Sequence, residues 1–187
     1  MKRTACLLLA AALLATSAVS AKVRNVTDPD APRSLPADGP VAVQWADPAG
    51  FTDLKFSGNR WQAAQGNWVF QLAEHLRDSA SKRLPEGDRL DVTITDIGRA
   101  GRYEPWHGPQ MQDVRIMRDI YPPSMTLEFR LYGADGQLLA DGTRELRDMG
   151  YLMGNTLTGP SDNLRFEKRM IDDWVRTEFR ERALAAR

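Results

Sequence analysis

The chain has little of the chemistry that cysteine and histidine supply. Its 187 residues include one cysteine and two histidines. Cys6 lies in an N-terminal apolar run, and the rest of the chain holds no thiol and forms no disulfide. The zinc-binding pattern His-Glu-x-x-His, the glycine-rich phosphate loop and the nucleophile motif Gly-x-Ser-x-Gly are all absent. The sequence therefore predicts no metal and no cofactor, and it identifies no catalytic residue.

The chain also lacks an excess of either charge. It has 25 basic and 25 acidic residues, and the arginines are spread along the chain without forming a block. Because nucleic-acid recognition produces a clustered basic excess, we expect no nucleic-acid partner. Long apolar runs are missing too. The run from Ala5 to Ala15 is shorter than the about 20 residues of a membrane-spanning helix, so we expect no transmembrane segment.

The first 21 residues have the layout of a secretory signal peptide. Lys2 and Arg3 precede the apolar run, and the small residues of 19–21 form a cleavage site after Ala21. We therefore expect residues 1–21 to be removed and the protein to be periplasmic, with no cysteine in the mature chain.

The remaining chain divides into a leader and one domain. Residues 22–40 are polar, contain four prolines and hold almost no large apolar side chain. Such a segment buries too little surface to offset the entropy of ordering it, which predicts a flexible leader. Residues 41–187 have the length of one ordinary domain.

Periodicity within 41–187 indicates both strands and helices. Alternating apolar residues predict strands at 41–45 and 90–97, and a hairpin formed by 125–131 and 137–146. Helical spacing predicts a helix between Asn67 and Pro85 and a second one from Phe166 to Phe179. We therefore expect an α+β domain, with a mostly antiparallel sheet of about four strands and two helices packed on one face.

An irregular loop over 98–111 is the strongest candidate for a contact surface. It holds three glycines and two prolines, and a second bend follows at Tyr121-Pro122-Pro123. Loops of this length are often functional, and aromatic and arginine side chains on them suit a protein or glycan contact. Packing of the aromatic rings beneath the loop is the alternative. The predicted ligand or partner contacts are Asp96, Arg102, Glu104, Trp106, His107 and Tyr121.

A hydrolase-type enzyme at the same loop is the competing hypothesis. Asp96, Glu104 and His107 supply acids and a base, and they would have to converge in one cleft. Elsewhere, Asp47 and Asp53 could surround a cation, but aspartates in such loops commonly satisfy backbone donors. The structural interpretation of this aspartate pair is therefore favoured.

Several short segments of the chain form a specific combination: Trp45-Ala46-Asp47-Pro48, Phe51-Thr52-Asp53, Leu84-Pro85 with Gly87 and Leu90, Thr95-Asp96-Ile97, Ala100-Gly101, Glu104-Pro105, Arg115-Ile116, Arg118-Asp119, Tyr121-Pro122-Pro123, Glu167-Lys168 and Asp172 to Trp174. Together they resemble a bacterial family of exported proteins catalogued as domain of unknown function 3016. The resemblance covers nearly all of the chain after the signal peptide and implies a periplasmic location without assigning an activity. With the loop composition, it leads us to expect a non-catalytic binding protein or envelope accessory or assembly factor. Its partner would be an envelope protein or a glycan, and the oligomeric state stays open.

Overall fold

A computed structural model describes residues 25–153 and 162–185. The predicted signal peptide over 1–21 lies outside these ranges. In chain order the elements are β1 (Val41–Trp45), α1 (Thr52–Lys55), α2 (Arg60–Ala64), α3 (Trp68–Ser81), β2 (Arg89–Gly98), β3 (Arg102–Tyr103), β4 (Arg115–Ile116), β5 (Ser124–Tyr132), β6 (Leu138–Arg147) and α4 (Arg165–Ala185). Short 3-10 turns occur at Pro48–Gly50 and Pro105–His107.

Four strands form the central sheet in the order β1-β2-β5-β6. Strands β1 and β2 are parallel, while β2 with β5 and β5 with β6 are antiparallel. The parallel pair follows from the connection between its strands. Helix α3 carries the chain back along the sheet before β2 begins, as parallel neighbours require. The predicted α+β fold with a mostly antiparallel four-stranded sheet is confirmed.

The core lies between one face of the sheet and helices α3 and α4. Strand β5 alternates strictly, with its apolar side chains buried and most of the polar ones between them partly or fully exposed. Leu72 and Leu76 of α3 and Ile171 and Val175 of α4 are completely buried in the same apolar cluster. Burying such side chains is the main favourable contribution to folding, about 1.5 to 3 kcal/mol each.

The opposite face of the sheet is polar and open to solvent. Cross-strand partners on this face include Arg130 with Asp141 and Thr126 with Glu145. Its acidic side chains slightly outnumber its basic ones, since Asp91, Glu128, Asp141 and Glu145 accompany Arg89, Arg130 and Arg147 in these rows. We call this surface the open face.

The residues just before β1 pack more closely than their composition predicts. Leu35 N donates to Val43 O and Trp45 N donates to Arg33 O, both at 2.9 Å. Val26 and Leu35 are buried in the main core. The described part of the predicted leader, residues 25–40, is thus held against the domain. Backbone hydrogen bonds to the edge of β1 add to the burial of these two apolar side chains.

Candidate functional site at the loop end of the sheet

Three connections meet where β2 ends and β5 begins, and we call this region the loop end. They are residues 46–58, residues 99–123 and residues 148–153. The predicted irregular loop over 98–111 contains the 3-10 turn Pro105–His107 and strand β3. Strand β3 pairs with β4 in a two-stranded antiparallel ribbon. Two buried carboxylates, Asp53 and Glu104, tie these connections together.

Asp53 is the centre of the first charged cluster. Its side chain, on α1, is only 3% exposed. The carboxylate accepts hydrogen bonds from the Arg99 backbone N–H at 3.0 Å and from Arg99 Nη2 at 2.8 Å. Arg115 donates to both carboxylate oxygens at 3.0 Å. One carboxylate therefore joins α1 to both ends of the 99–115 segment.

The two arginines of this cluster make further contacts on their other sides, although Arg115 Nε is buried without a hydrogen-bond partner among the described residues. Arg115 Nη1 donates to the carbonyls of Ala100 at 3.2 Å and Gly101 at 3.0 Å. Arg99 Nη2 donates to a carbonyl of α2, and its guanidinium lies 4.2 Å from the ring centroid of Trp68. Burial acts to lower the pKa of Arg115, but the Asp53 carboxylate and Tyr103 outweigh it and hold the pKa above its ordinary value. These groups therefore anchor the loops.

Glu104 is the centre of the second cluster and is 1% exposed. Tyr121 OH donates to Oε1 at 2.8 Å, and Arg118 Nη2 donates to Oε2 at 2.7 Å. His107 Nε2 lies 2.9 Å from the same Oε2. Burial acts to raise the pKa of Glu104, but these hydrogen bonds and the Arg118 charge outweigh it, so the pKa lies below its usual value. The hydrogen bond to Glu104, together with burial, raises the pKa of Tyr121.

The three side chains that the hydrolase hypothesis requires, Asp96, Glu104 and His107, do not meet in one place. Glu104 and His107 are in contact, but the Asp96 carboxylate instead accepts hydrogen bonds from Thr52 N and Thr52 Oγ1, both at 2.6 Å. A register shift in β2 between Ile94 and Asp96 precedes this contact. Asp96 therefore fastens the start of α1 to the sheet.

The remaining predicted contacts lie at the surface. Trp106 is 67% exposed, with its ring tilted against His107. Arg102 is exposed, and its guanidinium lies 5.1 Å from the Tyr121 ring centroid. Phe56, Ile120 and Met149 are also more than half exposed at this end. We call Phe56, Trp106, Ile120 and Met149 the apolar rim.

Glu167 adds a connection that sequence reasoning did not identify. Its side chain, on α4, is buried, and Oε1 accepts a hydrogen bond from Ala100 N at 2.6 Å. Oε2 is buried and has no hydrogen-bond partner among the described residues. Burial raises the pKa of Glu167, although the Ala100 N–H opposes the effect. The only sequence signal was its place in the family resemblance.

The two aspartates of the first loop do not share a cation site. Asp47 accepts from Ala49 N at 3.0 Å and pairs with Arg33 at 3.0 Å. The first of these contacts is the main reason that the pKa of Asp47 is lowered. Asp53 is occupied by its two arginines, as described above. Across residues 25–153 and 162–185, no three His, Cys, Asp or Glu side chains are grouped so that they could hold a metal ion.

The helices give no sign of a membrane span. In the part of the chain that the structure describes, none combines the length and the apolar character needed to cross a bilayer.

The fold and site define an α+β domain whose loop end is cross-linked by buried charges and edged by exposed apolar side chains.

The chain belongs to the family described as "Protein of unknown function (DUF3016)", whose model matches residues 39–177. This confirms the resemblance found in the sequence. No curated protein matches the chain.

Most of the segments that carry the family resemblance converge at the loop end, whereas Leu84 to Leu90 lie at the start of β2 and Asp172 contacts α3. The converging segments are far apart in sequence, yet direct hydrogen bonds join them in pairs. These pairs are Thr52 with Asp96, Asp53 with Arg115, Glu104 with Arg118 and Tyr121, and Ala100 with Glu167. The loop end is therefore the part of the molecule in which the family's sequence features are structurally connected.

Proposed function

We propose that the protein is exported to the periplasm and acts there by binding. In this proposal it is an envelope accessory or assembly factor that contacts a protein partner through the apolar rim. The main supporting observation is that four large apolar side chains are exposed at one end of the domain. Their exposed fractions are 67% for Trp106, 64% for Ile120, 63% for Met149 and 57% for Phe56. Exposed apolar side chains that lie near one another are typical of interaction sites.

The apolar character of the rim favours a protein over a glycan as the partner. Protein–protein hot spots are enriched in Trp, Tyr and Arg, and the rim holds Trp106 with Arg102 nearby in the same loop. Three of the four rim residues lie on connections tied by Asp53 or Glu104. A surface that is already ordered before binding loses less entropy when the partner arrives.

A hydrolase at this loop is less well supported. The Glu104–His107 contact is the one element of an acid–base site that is present. Both oxygens of Glu104 accept hydrogen bonds from Tyr121 and Arg118. The third group, Asp96, is held by Thr52. The charged side chains thus serve the loop structure, which supports a binding role.

Export is supported by the N-terminal sequence. Lys2 and Arg3 precede an apolar run that is followed by small residues, and the only cysteine lies in that run. The test is intact-mass analysis of the protein purified from a periplasmic fraction of a host expressing the full chain. A chain that begins at Lys22 agrees with the proposal, whereas a chain that retains residues 1–21 and stays in the cytoplasm contradicts it.

The binding role is tested by crosslinking in intact cells followed by mass spectrometry. We compare the native chain with Trp106→Ala and Ile120→Ala. Leu139→Ala is the matched control, because Leu139 is 55% exposed at the opposite end of β6. Truncation of a hot-spot side chain weakens binding by more than about 1 kcal/mol, so we expect at least about fivefold less crosslinked partner with either rim variant. Equal yields from the rim variants and the control would refute the assigned surface.

A further inference from the structure

A small cleft opens at the loop end beside the Asp53 cluster, with a volume of about 170 Å³. Gly98, Ser124 and Arg147, cross-strand neighbours in the last row of the sheet, are among the residues that line it. Gly98 keeps this part of the cleft open, because a Cβ at this position would lie 2.7 Å from Ser124 Oγ. The cleft therefore depends on a residue without a side chain.

The charged side chains that line the cleft are predominantly cationic. Four arginines line it, and Asp53 is the one acidic residue among them. Arg99 and Arg115 are already engaged by Asp53 and by backbone carbonyls. Arg102 and Arg147 are exposed and form no ion pair with any residue that the structure describes. The cleft thus carries uncompensated positive charge, with two guanidinium groups that no described carboxylate engages.

The donor set fits a compact oxyanion. A guanidinium presents parallel N–H groups that match the oxygens of phosphate, and such charge-assisted hydrogen bonds are about twice as strong as neutral ones. The Ser124 hydroxyl, which also lines the cleft, supplies a further donor. Phe56 and Ile120, two members of the apolar rim, line the same cleft. A ligand with one anionic group and an apolar body would therefore contact the arginines and these two apolar side chains at the same time.

The charges on the neighbouring sheet surface disfavour a long polyanion as the ligand of the cleft. The open face continues from the cleft along the sheet and carries Asp91, Glu128, Asp141 and Glu145 against Arg89 and Arg130. A polyanion extending along this face would be repelled. The arrangement accommodates one anionic group at the loop end.

We propose that this cleft binds a single phosphate-type oxyanion, held by Arg102 and Arg147 with the Ser124 hydroxyl. The anion is either free phosphate or the headgroup of an anionic phospholipid. The assignment goes beyond the proposed protein contact and does not depend on it, because the cleft and its charges are complete within this chain.

The test uses the purified protein without any partner. Inorganic phosphate is titrated calorimetrically at low ionic strength, and cosedimentation is measured with vesicles of phosphatidylcholine alone or mixed with phosphatidylglycerol. Losing one charge-assisted contact weakens binding about tenfold, which is the expected effect of Arg102→Gln and of Arg147→Gln. Arg130→Gln is the matched control, since Arg130 is an exposed arginine of the same sheet that also forms no ion pair among the described residues.

Each outcome decides the proposal. Phosphate binding that both cleft variants weaken and Arg130→Gln preserves supports the site with a free anion as ligand. Cosedimentation that requires phosphatidylglycerol, with the same dependence on the variants, supports the site with a lipid headgroup as ligand. No binding in either arm overturns the proposal. An equal loss in Arg130→Gln also overturns it, because the attraction would then be a general effect of charge. Circular dichroism of each variant verifies that the fold is retained.

Discussion

Replacing Asp53 by asparagine is expected to destabilise the protein strongly. The Asp53 side chain is 3% exposed, while its partners Arg99 and Arg115 are 14% and 15% exposed. The substitution removes the one carboxylate that both guanidinium groups contact, and it directs an amide N–H₂ group at their N–H donors. Removing one partner of a buried ion pair costs about 3 to 5 kcal/mol, because the remaining charge stays buried without compensation.

The matched control is Asp47→Asn in the same loop. Asp47 also pairs with an arginine at 3.0 Å, but its side chain is 60% exposed. Exposed ion pairs contribute about 0 to 1 kcal/mol, so this variant is expected to lose little stability. The two substitutions make the same chemical change in a buried and in an exposed pair. The difference between them therefore isolates the effect of burial.

The free energy of unfolding of each variant is measured by urea titration with tryptophan fluorescence. Trp68, which lies against Arg99, reports directly on the cluster. A loss of 3 kcal/mol corresponds to a fall in Tm on the order of 10 °C for a domain of this size. If Asp53→Asn loses no more stability than Asp47→Asn, the Asp53 cluster does not anchor the loops.

Three further substitutions probe the loop end. Burial raises the pKa of Glu167, so its contribution to stability is full below the unfolded pKa of about 4.3 and declines as pH rises through the folded pKa. We expect Glu167→Gln to reduce this decline in urea titrations at increasing pH, and an unchanged profile would contradict the assignment. At Glu104, burial acts to raise the pKa, but hydrogen bonds and a nearby arginine outweigh it, so the pKa in the folded protein is lowered. The stability that Glu104 contributes is therefore lost as pH falls through this lowered pKa. Glu104→Gln is therefore expected to flatten the acid side of the Tm profile. Gly101 and Gly136 both have a positive φ, 74° and 78°, at which a residue with a side chain costs about 1 to 2 kcal/mol. Only at Gly101 would the added Cβ also be crowded, because it would lie 2.6 Å from Met117 Sδ. Thermal melts are expected to show a larger loss for Gly101→Ala than for Gly136→Ala, and equal losses would refute the crowding argument.

The fold was largely predictable because burial repeats with the period of each element. Strand β1 alternates between buried and exposed positions over Val41–Trp45, as the sequence predicts. Helix α3 begins after Asn67 as expected, although it ends at Ser81 rather than continuing to Pro85. The short helices α1 and α2 were not predicted, because four or five residues are too few to show a helical period.

The charged clusters could not be predicted in the same way. Periodicity indicates which face of an element is buried, but it does not identify contacts between distant residues. Asp53 bonds to residues 46 and 62 positions away along the chain. The hydrolase hypothesis placed Asp96 with Glu104 because they are close in sequence, whereas a register shift in β2 precedes the contact of Asp96 with Thr52. The contact between Glu104 and Tyr121 shows that part of the predicted surface is nevertheless connected.

The attachment of residues 33–35 to β1 has a consequence for self-association. An uncovered outer strand offers free N–H and C=O groups to which a strand of another copy can pair. Residues 33–35 occupy these positions on β1 through two backbone hydrogen bonds. The outer strand at the other margin, β6, carries exposed charged side chains at Asp141, Glu145 and Arg147, which discourage such pairing. We therefore expect a shortened chain starting at Val41, in which the outer edge of β1 is uncovered, to form intermolecular sheets more readily than the full chain.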